Sequence, residues 1–233
     1  MASVPAWGSI SRTACSGPAT KKKTVKRHVI EGLYAITPDE LDTARLLDQV
    51  EQAVRGGIRI LQYRNKLASS ELAQHQAMAL RTLTRAHGVT YIVNDDVHLA
   101  QQVDADGVHL GGEDGSIAAA RALLGSARLI GASCYNRAPL AEAAVAQGVD
   151  YIAFGAFFPS SVKPAAVKAD VALLQQAWRV PVVAIGGITQ ANGKSLVVAG
   201  ADALAVISAL WQAPDIERAA RDFSYLFEQG DPA

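Results

Sequence analysis

Eight short apolar runs recur along the chain, each bounded by glycine or polar residues and separated by amphipathic stretches. They are Gly32–Ile36, Ile60–Arg64, Tyr91–Asp95, Val108–Gly111, Leu129–Ser133, Tyr151–Phe154, Val182–Gly187 and Ala203–Ser208. Runs this short and this continuously apolar are the pattern of strands covered on both faces, which belong to parallel sheets. The stretches between them carry helical spacing, as with Leu46, Leu47, Val50 and Val54. Alternating strands and helices with a count of eight close into an α/β fold, the TIM (β/α)8 barrel, and such barrels place their chemistry where the strands end. At 233 residues there is room for one such barrel as a single domain, expected over residues 29–230, and not for two.

Charge narrows the partners. Lys plus Arg and Asp plus Glu balance at 22 each, which disfavours nucleic acid or an anionic membrane as the main partner and leaves small molecules recognised locally. Two cysteines, Cys15 and Cys134, are too few for a disulfide framework or a zinc cluster, so a reducing, cytoplasmic location is expected. No apolar run has the length of a membrane span. Residues 1–28 mix small and polar residues with Lys21-Lys22-Lys23 and Lys26-Arg27, without strand or helix period. With little apolar surface to offset chain entropy, they are expected as a disordered basic arm outside the barrel.

The strand ends carry the candidate chemistry. After the second run, alternation puts Gln62, Arg64 and Lys66 on one side, a set of donors converging on the barrel mouth. The third run ends in Asn94-Asp95-Asp96; one of these is needed to cap the helix from Val97, which leaves two for another task. Glu113-Asp114 follows the fourth run, and carboxylates from adjacent strand ends suit Mg²⁺ shared with phosphate oxygens. Asp104 and Asp106 precede that run and are assigned to the opposite, structural end. His109 reads as a hydrogen-bonded core histidine, and Cys134 as a small buried thiol. Ser133 is either a ligand contact or the cap of a helix over 138–147. Beyond the sixth run, Ser160-Ser161-Val162-Lys163-Pro164 forms a polar loop whose lysine suits a phosphate better than a Schiff base. Gly186-Gly187 and Ile207-Ser208 close the last two runs, where barrels of this class cradle phosphate. The helix expected over 214–227 closes the wall and could also carry a homo-oligomer contact. Two anion stations with a metal at one of them suggest a transfer reaction in which a diphosphate leaves.

These motifs resemble thiamine phosphate synthase. The matches are Leu33-Tyr34-Ala35-Ile36-Thr37, Gln62-x-Arg64-x-Lys66, Asn94-Asp95, Asp106 to Gly111 with Glu113-Asp114, Gly131-Ala132-Ser133, Phe154-Gly155 through Lys163-Pro164, Ile185 to Ile188, and Gly200-Ala201-Asp202 through Ser208. The resemblance implies a barrel that joins a pyrimidine diphosphate to a thiazole phosphate and releases pyrophosphate, the pyrimidine stabilising the methylene cation. It implies that Gln62, Tyr63, Arg64, Asn65, Lys66, Asn94, Ser133 and Lys163 hold the pyrimidine diphosphate, with Arg64, Lys66, Ser133 and Lys163 catalytic. Asp95 and Asp114 would bind Mg²⁺, and Ser160, Ser161, Val162, Gly187, Ile207 and Ser208 the thiazole phosphate. Two positions depart from the family pattern. Gly112 replaces a glutamine, and Val162 replaces a threonine whose lost hydroxyl would weaken phosphate binding by roughly 1.5–3 kcal/mol unless Ser161 or water substitutes. A thiazole tautomerase on the same barrel and a non-catalytic thiamine-phosphate binder stay open as alternatives.

Overall fold

A computed structural model describes residues 30–112, 115–159 and 167–228. The basic arm of 1–28, Glu113, Asp114 and the stretch Ser160–Pro164 lie outside the described residues. Strands β1 (Gly32–Ile36), β2 (Ile60–Tyr63), β3 (Thr90–Asn94), β4 (Gly107–Leu110), β5 (Leu129–Tyr135), β6 (Tyr151–Phe154), β7 (Val182–Ile185) and β8 (Ala203–Val206) form one closed barrel in sequence order. Every neighbouring pair is parallel, including β1 with β8, so the expected topology is met.

Helices α1 (Thr43–Arg55), α2 (Ser70–His87), α3 (Val97–Gln102), α4 (Ile117–Leu124) and α5 (Ala138–Ala146) follow the first five strands. Helices α6 (Gln190–Val198), α7 (Ser208–Trp211) and α8 (Ile216–Glu228) complete the wall. A 3₁₀ turn at Val171–Leu173 is the helical element described between β6 and β7. No helix among the described residues is long and apolar enough to cross a membrane. Helix α1 starts at Thr43, where Asp42 caps it by accepting from the amides of Ala44 and Arg45. Asp39 and Glu40 therefore belong to the β1–α1 loop instead of a first helical turn. Of the three candidates Asp96 is the cap of α3, accepting from Leu99 N at 2.8 Å, so Asn94 and Asp95 are the two left over.

Alternation along the strands divides the core in two. Outward side chains pack with the helices into one large cluster; inward ones, including Tyr34, Ile60, Ile92, Tyr151, Val183 and Ala205, fill the barrel. The entrance to every even strand repeats one device. Gly57, Asp104, Gly148 and Gly200 all have positive φ, and each is followed by a buried apolar residue and then by Arg59, Asp106, Asp150 or Asp202. The three aspartates accept from the first or second amide of the preceding strand, Tyr91, Ile130 and Val182, at 2.9, 2.7 and 2.7 Å. Arg81 grips Asp106 with two bonds of 2.9 Å, so this end of the barrel is built for stability, as expected of Asp104 and Asp106. Burial opposes ionisation of Asp104, but Arg128, Arg85 and Arg81 outweigh it and hold the carboxyl below its usual range.

Candidate active site

The opposite ends of the strands surround a cavity of about 350 Å³, within the range of small-ligand sites. Its wall takes residues from every strand or the loop after it, among them Tyr34, Gln62, Asn94, His109, Ser133, Pro159, Gly187 and Ser208.

The β2 end obeys the alternation. Gln62 points into the barrel and donates Nε2–H to the Tyr34 hydroxyl at 2.8 Å, and Arg64 lines the cavity. Thr37 holds this end in place: its hydroxyl donates to the Arg64 carbonyl and accepts from the Arg64 amide, both at 2.8 Å. Asp39 pairs with the Arg64 guanidinium at 3.3 Å and accepts from the Lys66 amide at 2.7 Å. Lys66 Nζ lies 3.6 Å from the Asp95 carboxylate. Two cations thus stand at the mouth with acids as counterions. Tyr63 and Asn65 face the other way. Being one residue out of phase, they point to α2, where the Tyr63 hydroxyl donates to Gln76 Oε1 at 3.0 Å. Asn65 donates there too, and to the Glu40 carbonyl at 2.6 Å. Burial pushes the Tyr63 phenol up to about 12.

At the end of β3, Asn94 lines the cavity beside its register partner His109. Asp95 adopts φ +63, a left-handed conformation that aspartate tolerates better than most residues, with its amide donating to the His109 carbonyl at 2.8 Å. Its carboxylate is partly exposed beside Lys66. Asp114, Ser160, Ser161, Val162 and Lys163, the other halves of the expected metal and phosphate stations, fall outside the described residues.

Ser133 is not a helix cap. Arg137 occupies the N-cap of α5, and Ser133 Oγ meets His109 Nε2 at 2.9 Å on the cavity wall. His109 is the hydrogen-bonded inner histidine that was expected, its Nδ1 lying 3.1 Å from the Tyr151 hydroxyl. Burial raises the phenols of Tyr34 and Tyr151 above the ordinary tyrosine range, against which the bonds from Tyr151 and Gln62 to Tyr34 work only partly. Both stay protonated. Cys134 is fully buried, and burial pushes its thiol up to about 12, so it is inert as a nucleophile. A register shift between Ser133 and Tyr135 turns Tyr135 to φ +53, where its hydroxyl accepts from the Gly112 amide at 3.2 Å. A side chain at Gly112 would begin 3.5 Å from that ring, so Tyr135 occupies the space next to the absent one.

On the far wall, Gly187 has φ +62, and an added Cβ would lie 2.3 Å from the Pro159 carbonyl. Only glycine allows the β6 and β7 loops to meet this closely. Ile207 and Ser208 follow β8 at the start of the short α7 and line the same wall. The polar file through Tyr34 and Tyr151, the Thr37 clasp and the Asp39 counterion were missed by sequence reasoning. Their one signal was a polar residue inside or just after an apolar run.

The fold and the site define a (β/α)8-barrel enzyme with an arginine and several polar side chains around a cavity of small-molecule size. The chain belongs to the thiamine monophosphate synthase family, whose model matches residues 33–210. It is 57% identical over 200 residues to a thiamine-phosphate synthase of Methylobacillus flagellatus, covering 85% of this chain and 96% of that one. A thiamine-phosphate synthase of Thiobacillus denitrificans is 55% identical over 201 residues, covering 84% and 94%. Among solved structures, thiamine phosphate pyrophosphorylase from Pyrococcus furiosus matches with a TM-score of 0.77 and 33% identity, covering 88% of this chain and 97% of that one.

Proposed function

We infer that this chain is a thiamine-phosphate synthase, a transferase that moves a pyrimidinylmethyl group from its diphosphate to a thiazole phosphate and releases pyrophosphate. The observation that carries this is the mouth itself. Arg64 and Asn94 line the cavity, and just beyond them in sequence Lys66 pairs with Asp95, in a chain 57% identical to an enzyme of that name. In the proposal, Gln62, Arg64, Lys66, Asn94, Ser133 and Lys163 hold the pyrimidine diphosphate. Tyr63 and Asn65 serve it indirectly by bracing the β2 end against α2. Ser160, Ser161, Val162, Gly187, Ile207 and Ser208 hold the thiazole phosphate. Arg64 and Lys66 would exchange their carboxylate counterions for phosphate oxygens, so that positive charge already in place meets the negative charge of the leaving group.

Asp95 fits a Mg²⁺ ligand: its carboxylate is partly exposed at the mouth and already has a cation 3.6 Å away. Among the described residues no group of three or more potential ligands gathers, and Mg²⁺ needs one or two carboxylates besides water and substrate phosphates. Asp114 is the proposed second carboxylate. When bound, Mg²⁺ would neutralise the diphosphate and so ease its departure. A cytoplasmic location, resting on the sparse cysteines, goes with the proposal.

The test is pyrophosphate release with both substrates and Mg²⁺. The wild-type chain is expected to release it, and Asp95→Asn or Lys163→Ala to abolish release while far-UV CD and melting stay unchanged. Asparagine tolerates the left-handed backbone, so that variant removes charge without adding strain. A tautomerase or a binder would release none, and full turnover in either variant would show the site to be misplaced.

A further inference from the structure

Along the cavity wall and behind it at Tyr151, a single file of hydrogen-bonding groups crosses the barrel. Gln62 Nε2 lies 2.8 Å from Tyr34 Oη, which is 2.9 Å from Tyr151 Oη. Tyr151 Oη lies 3.1 Å from His109 Nδ1, and His109 Nε2 is 2.9 Å from Ser133 Oγ. Tyr34, Gln62, Tyr151 and His109 are 1%, 3%, 0% and 8% exposed, too buried for water to replace a lost partner freely. Each tyrosine, and a neutral imidazole, has one proton to place between two neighbours in the file. The direction of one link therefore fixes the others.

We propose that Tyr151 and His109 are positioning residues that aim the Ser133 proton into the cavity. Gln62 donates to Tyr34, so the Tyr34 proton goes to Tyr151 and the Tyr151 proton to His109 Nδ1. His109 then carries its proton on Nε2 and donates it to Ser133 Oγ, which leaves the serine proton for a ligand. Reversed, the file would end with Ser133 donating to His109 and turning only lone pairs toward the cavity. A diphosphate oxygen accepts hydrogen bonds and donates none, so only the first direction suits it. The identity of that ligand rests on the function proposed above; the direction of the file does not. Tyr151 is absent from the cavity wall, so its hydroxyl acts on Ser133 through His109 and not by touching a ligand.

Two measurements test this. In protein labelled with ¹⁵N-histidine, with the His109 signals assigned by their loss in His109→Gln, the ring proton should be on Nε2. In Tyr151→Phe, where Nδ1 loses its donor, a mixture of the two tautomers should appear. In the pyrophosphate assay, Tyr151→Phe and Ser133→Ala should each lower kcat by roughly tenfold or more, the scale of one hydrogen bond to a charged group. Adding Tyr151→Phe to Ser133→Ala should lower it no further. A wild-type proton on Nδ1, a doubly protonated ring, or losses that multiply in the double variant would overturn the proposal. If the wild-type chain released no pyrophosphate, the functional reading would fall while the nitrogen spectrum still decided the direction of the file.

Discussion

Gly131→Ala adds one methyl group to a β-strand, yet it should damage both stability and turnover. His109, Gly131 and Tyr151 are register partners on β4, β5 and β6, so all three face the barrel axis at one level. The missing side chain at 131 is what lets the Tyr151 ring lie across β5 and stack on His109, with centroids 5.5 Å apart and planes at 29°. A Cβ at 131 would lie 2.0 Å from Tyr151 Cζ and 2.4 and 2.5 Å from the Cε atoms, a clash that only moving the ring can relieve. Overpacking costs about 1–3 kcal/mol, and the two hydrogen bonds of the Tyr151 hydroxyl add about 1 kcal/mol each, for a total of about 3–5 kcal/mol. In a chain of this size each kcal/mol lowers the melting midpoint by about 2–4 °C, so a fall of roughly 10 °C is expected.

The assay is urea unfolding of Gly131→Ala in two backgrounds. In wild type the substitution should lower stability by the amount above. In Tyr151→Ala the ring is gone and the new methyl fills part of the vacated space, so the same substitution should be neutral or stabilising. The sign change isolates the contact from any general intolerance of β5. Equal destabilisation in both backgrounds would refute the assignment of Gly131 as the seat of the Tyr151 ring, as would an unaffected single variant.

Two further outcomes follow from opposite parts of the barrel. Asp202→Asn removes the carboxylate that accepts from Val182 N at 2.7 Å, at the end remote from the cavity. It should lower stability by about 1–3 kcal/mol in urea unfolding while leaving kcat and KM for pyrophosphate release unchanged, and a kinetic effect would contradict the division into a stability end and a chemical end. Burial raises the phenols of Tyr34, Tyr63, Tyr91 and Tyr151 in the folded state. A raised folded pKa gives stability that is fully present below the unfolded value near 10 and is lost as pH rises toward the folded value. Above about pH 10 each tyrosine should subtract up to about 1.4 kcal/mol per pH unit, so urea stability should fall steeply from pH 10 to 11, and a flat profile would refute the burial.

The barrel was legible because its signal is local: each strand is a short apolar run, and eight runs in order leave few closures. That one of Asn94, Asp95 and Asp96 caps α3 was legible for the same reason, since an N-cap bonds an amide three residues on, and the structure makes it Asp96. Gln62 and Arg64 facing the mouth followed from strand alternation. That alternation, applied one residue further, also places Tyr63 and Asn65 on the helix side, where family resemblance alone had put them among substrate contacts. What the sequence hid is nonlocal. Tyr34 and Tyr151 stand in apolar runs 117 residues apart and pass for core, since nothing in either run names the other as partner. Their hydroxyls meet only because β5 carries a glycine between β4 and β6, so a residue lacking a side chain connects the polar file. A conspicuous Gly131-Ala132-Ser133 can therefore be read physically: the glycine seats the tyrosine that orients the histidine beside the serine, and the three residues serve one hydroxyl.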